Sequence, residues 1–110
     1  MPMRTLLLML LWTAAAGAAE ETNKLSVNLT GAGARTCAYW LSDQGHKSEG
    51  SVWIYGFWSG LNYVAVASDQ DQSKTTGAAM IAAVEKACRI DLSRVLAAAA
   101  WSAYIDLNKN

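Results

Sequence analysis

The sequence predicts an all-α fold, a small bundle of about four helices closed by one disulfide. Three observations predict it. Apolar residues recur at helical spacing in four separate segments. The apolar stretches lack the period-2 alternation of strands. Two cysteines, Cys37 and Cys88, lie far apart in a chain with little core to spare.

The first segment, 1–19, reads as a cleaved signal peptide. Arg4 supplies the positive start, and the run LLLMLLW at 6–12 supplies a short apolar stretch. Small residues at 16–19 offer a cleavage site, so the mature chain is expected to start near Ala19 or Glu20. The apolar run is well short of the ~20 residues a spanning helix needs, so no stable membrane span is expected after cleavage. The expected location is the periplasm. That compartment is oxidising, so Cys37 and Cys88 are expected to pair. Closing a loop of about 50 residues is worth about 4 kcal/mol in the chain-entropy model.

Residues 20–34 are expected to be a flexible lead-in, with Gly31-Ala32-Gly33-Ala34 as a joint. The helical domain is expected over 35–110. A first helix over 35–43 places Cys37, Trp40 and Leu41 on one face. Residues 44–47 (QGHK) read as a polar turn, after which Ser48 or Ser51 caps the next helix.

Residues 52–67 (VWIYGFWSGLNYVAVA) are the most apolar part of the mature chain and are expected to be helical. Gly56 and Gly60 lie four apart on one stripe, where another backbone can approach. Trp53, Phe57 and Val64 form a second stripe, and Ile54, Trp58, Leu61 and Ala65 a third. A helix apolar nearly all round is buried centrally or covered by a partner.

Residues 68–74 read as a polar loop, and Thr75 or Thr76 starts the third helix. Met80, Ile81, Val84 and Cys88 form its core stripe, while Glu85, Lys86 and Arg89 are expected to face away. Asp91 is expected to cap the last helix, with Ile90 and Val95 as a hydrophobic staple. Leu92, Val95, Leu96, Ala99, Ala103 and Leu107 line one side of that helix. Trp101 and Ile105 lie on nearly the opposite side, which one small core cannot also cover.

Composition narrows function. Loss of the signal removes Arg4 and leaves eight basic against nine acidic side chains. No basic stripe is present, so nucleic acid is not an expected partner. His46 is the only histidine, no CxxC occurs, and no nucleophile has an evident base. The chain is therefore expected not to be an enzyme and to use no catalytic residue, metal or cofactor. The expected activity is binding, through Trp53, Gly56, Phe57, Trp58, Gly60, Trp101 and Ile105.

Several short motifs carry a family resemblance. Thr36-Cys37 followed by Trp40-Leu41, Tyr55-Gly56-Phe57 followed by Gly60-Leu61-Asn62, and Val84 to Cys88 before a last helix resemble HdeA/HdeB-type periplasmic acid-stress chaperones. The resemblance covers about residues 35 to 107. It implies an all-helical fold with one disulfide and a homodimer at neutral pH. It also implies apolar surface, uncovered by acid, that holds unfolding periplasmic proteins. The chain is richer in Trp and Ala and poorer in charge than that pattern. A related expectation is a Tai-type periplasmic immunity protein, small, helical and disulfide-bearing, that binds and inhibits a cell-wall amidase.

Overall fold

The structure is a computed structural model and describes residues 26–109. The expected signal peptide, the start of the lead-in and Asn110 lie outside the described residues. Within them the chain forms a 3-10 turn, Gly31–Ala34, and four α-helices: α1 (Cys37–Trp40), α2 (Gln44–Ala67), α3 (Gly77–Ile90) and α4 (Leu96–Leu107). Among the described residues the extended pairing is a single bridge, Thr36 with Val95. The expected fold class is the observed one. No described helix is long and apolar enough to cross a membrane.

Side-chain caps set three helix starts by satisfying free backbone N–H groups. Thr36 accepts from Tyr39 N at 3.1 Å, Asp43 from His46 N at 2.8 Å and Thr76 from Ala79 N at 3.2 Å. The Asp43 cap moves the start of α2 forward to Gln44, so 44–47 is a helical turn and not a loop. Ser51 lies inside the helix and donates to Lys47 O at 2.7 Å instead of capping. The first helix shrinks correspondingly to one turn.

The last helix starts later than Asp91. Residues 91–96 run beside 35–38: Cys37 N donates to Arg94 O at 2.7 Å, Ala38 N to Leu92 O at 2.9 Å and Leu96 N to Arg35 O at 2.8 Å. These bonds satisfy backbone that a longer helix would have paired internally. Asp91 instead closes a local turn, accepting from Ser93 N at 3.0 Å and Ser93 Oγ at 2.6 Å. The expected staple does not form, and Ile90 stands 79% exposed.

The core gathers Cys37, Trp40, Ile54, Trp58, Met80, Val84, Cys88, Leu96 and the inner alanines of α4. Burying each large side chain is worth roughly 1.5–3 kcal/mol. Cys37 and Cys88 are bonded and fully buried, tying α1 to the last turn of α3. Trp40 packs against α2 at Gly50, where a Cβ would collide with its indole. Its Nε1 donates to Lys47 O at 3.0 Å. Lys47 sits 4.7 Å from the Trp40 ring centre and donates to Glu85 of α3. Glu85 therefore faces α2, not solvent as expected, with Arg89 4.0 Å from its other oxygen.

The expected flexible joint at 31–34 is also packed. Ala32 and Gly33 are buried, and a Cβ on Gly33 would lie within the Trp53 indole. Glycine is required here by close approach, not by freedom to move.

Candidate interaction surface

The two faces of α2 differ sharply. Ile54 and Trp58 point into the core, with Leu61 beside them. The opposite face carries Val52, Gly56, Gly60 and Tyr63, all exposed. No Asp, Glu, Lys or Arg occurs between Glu49 and Asp69. A Cβ on Gly56 or Gly60 would meet nothing within 4 Å. The close backbone approach expected at these glycines is not made by any described residue. The result is an uncharged furrow along the middle of the longest helix, open to solvent.

The expected binding residues divide into four groups, the last of them on α4. Trp58 is 1% exposed and belongs to the core, so it is not a contact surface in this state. Trp53 and Phe57 are half-buried and stacked, with ring centres 4.9 Å apart. They flank the furrow, and the 31–34 turn covers Trp53. Gly56 and Gly60 form the furrow floor.

Trp101 and Ile105 lie on α4, 48% and 40% exposed. Leu96 and Ala99 are buried, as a core side requires. Leu92 at 46% is as open as Trp101, because the segment before α4 is not helical. The expected contrast therefore holds at Leu96, Ala99 and Ala103 and fails at Leu92 and Val95 before α4 and at Leu107, 41% exposed, at its end.

Asn62 is a positioning residue that the sequence presents only as an interruption of an apolar helix. Its Oδ1 accepts from Ser73 N at 2.9 Å and from Tyr104 OH at 3.0 Å, and its Nδ2 donates to Ser73 O at 3.1 Å. One amide thus pins the 68–76 loop and α4 onto α2. A polar residue in an otherwise apolar helix is the available signal, since burial demands partners.

His46 occupies the first turn of α2 and not a solvated loop. Its ring stacks on Tyr39 at 3.9 Å. Ser42 Oγ donates to Tyr39 O at 2.7 Å, so His46 Nδ1–H is the donor toward Ser42 Oγ at 2.8 Å and Asp43 Oδ2 at 3.1 Å. Among the described residues no three His, Cys, Asp or Glu side chains gather as metal ligands. The hydrogen bonds from Ser93 hold the Asp91 carboxyl below its ordinary value, with a smaller contribution from the Arg94 charge.

Comparison with protein-family models, curated proteins and solved structures gives no match to this chain.

Proposed function

We propose that this chain is an exported periplasmic protein that holds unfolding client proteins at low pH. In this reading it pairs with a second copy at neutral pH. The supporting observation is the uncharged, glycine-floored face of α2, exposed beside a core that a buried disulfide locks. An apolar face of this kind marks a contact surface. Val52, Gly56, Gly60 and Tyr63 form it, flanked by the Trp53–Phe57 stack.

Acid supplies the switch. Below about pH 3 carboxylates are largely protonated, leaving the eight Lys and Arg of the mature chain and His46, about +9. Like-charged subunits repel and separate. Separation frees the α2 face for apolar segments of a client, and the positive charge keeps the complex soluble. The disulfide keeps α1 attached to α3 while the rest loosens. Trp58 takes part only once packing around α2 opens.

The test is suppression of aggregation of an unrelated periplasmic protein at pH 2 to 3, beside sedimentation at pH 7. The expected results are suppression at low pH alone and a dimer at tens of micromolar concentration. Absence of suppression, together with tight binding of a cell-wall amidase at neutral pH, would replace this reading with the immunity one.

A further inference from the structure

A second surface lies away from the α2 furrow. Between the end of α2 and the last turns of α4 is a cleft of about 440 Å³, within the ~300–1,000 Å³ of small-ligand sites. Leu61, Val64 and Ala65 of α2 and the Trp101 and Tyr104 rings of α4 form its apolar lining, with Trp58 buried behind Tyr104. Trp58 meets Tyr104 edge to face, ring centres 5.0 Å apart, and Tyr104 lies parallel to Trp101 at 6.3 Å. The Tyr104 hydroxyl is committed to Asn62, and the same amide clamps Ser73 of the neighbouring loop. Trp101 therefore presents a half-open indole on a rigid support.

The rim is polar and uncommitted. Gln70, Asp71 and Asn108 line it, and their side chains make no hydrogen bond or ion pair with another described residue. Two are amides and one a carboxylate, all planar groups with paired hydrogen-bonding atoms. The chemistry of this lining selects among ligands. No Lys or Arg lines the cleft, so a phosphate or nucleic acid finds no counter-charge. Asp71 is the single charged side chain lining the cleft, so an organic cation would meet one counter-charge and leave the amides unused. A wholly apolar side chain would cover the aliphatic wall and Trp101 but leave the rim groups to water. A pyranose ring satisfies both parts: its C–H face lies on an indole, and its neighbouring hydroxyls pair with amide and carboxylate atoms.

We infer that this cleft is a saccharide-binding subsite, with Trp101 stacked on one sugar ring and Gln70, Asp71 and Asn108 holding its hydroxyls. The inference is independent of the acid-dependent reading, because the cleft is formed in the folded protein at neutral pH.

The experiment is a titration of isotope-labelled protein at pH 7, read by nuclear magnetic resonance. The probes are chitotetraose and maltotetraose, two neutral oligosaccharides of different ring substitution. One or both should produce a saturable shift of the Trp101 indole N–H and of the Gln70 and Asn108 side-chain amides. The buried Trp40 indole N–H should stay in place. Trp101→Ala should abolish the shift of those amides. Asp71→Ala, in an exposed loop that leaves the fold intact, should weaken binding about tenfold. The inference is overturned if neither sugar gives a saturable shift while the Trp40 signal shows a folded protein. It is also overturned if Asp71→Ala binds as tightly as the parent, or if a lysine-rich peptide shifts Trp101 and the sugars do not.

Discussion

On the inner face of α2, Gly50 lies directly under the Trp40 indole, and no side chain fits there. On the outer face, a Cβ on Gly56 or Gly60 would meet no described residue within 4 Å. The same residue type thus serves two ends on one helix. At Gly50 the missing Cβ is needed for folding, because a rigid ring occupies its place. At Gly56 and Gly60 the monomer gains nothing from glycine and loses helix propensity, about 1 kcal/mol at each relative to Ala. A cost without return in the isolated chain points to a need outside it. This difference separates the part of α2 that builds the fold from the part left open to solvent.

The largest test of the contrast is Trp58→Ala on the inner face. It should cost about 3–5 kcal/mol in chemical denaturation, as a core tryptophan truncation does. A loss under half of that would mean that α2 is not packed inward through Trp58. Gly50→Ala should destabilise next, by about 1–3 kcal/mol net of improved propensity, since the Trp40 ring must move. Unchanged stability there would show that the ring yields freely and that the two glycine classes are alike. On α4, Trp101→Ala should cost under about 2 kcal/mol, because half its surface is already in water. A core-sized loss would remove its role as a presented side chain.

Gly56→Ala and Gly60→Ala reverse the sign. Each should raise monomer stability by up to about 1 kcal/mol, and Gly60→Leu should abolish self-association in sedimentation. A dimer that survives Gly60→Leu would exclude the α2 face as its interface. The smallest effect belongs to the turn before α4. Ser93 lowers the folded pKa of Asp91 below its unfolded value, so its contribution is present above about pH 4 and lost as pH falls through the folded value. Parent and Asp91→Asn should therefore differ in urea melts at pH 7 and converge at low pH. A constant difference across the range would deny Asp91 any share in the acid response.

Much of the core was legible. Ile54, Trp58 and Leu61, then Met80, Val84 and Cys88, follow the 3.6-residue period and do face inward. The open face of α2 was only half legible. Gly56 and Gly60 stood out by spacing, but Trp58, two residues from Gly56, belongs to the opposite side, and aromatic character alone does not distinguish them. The polar run 44–47 resembled a turn because it has no apolar residue to set a helical period and holds Gly45. What makes it helical is the Asp43 cap, the Trp40 hydrogen bond to Lys47 and the Lys47–Glu85 pair, each of which brings in a residue from outside the run. The start of α4 was misplaced because Asp91 is an adequate cap locally, while pairing with residues 35–38 claims the backbone that follows it.

The sequence by itself determined the helical class, the pairing of Cys37 with Cys88 and the inward stripes of α2 and α3. Period, composition and cysteine count are properties of the chain that hold whatever packs against it. Only the tertiary structure decided which glycines are filled against and which are open, where Glu85 turns, and what Asn62 holds together. Those depend on residues distant along the chain, whose approach is set by the whole packing arrangement and has no local period to reveal it.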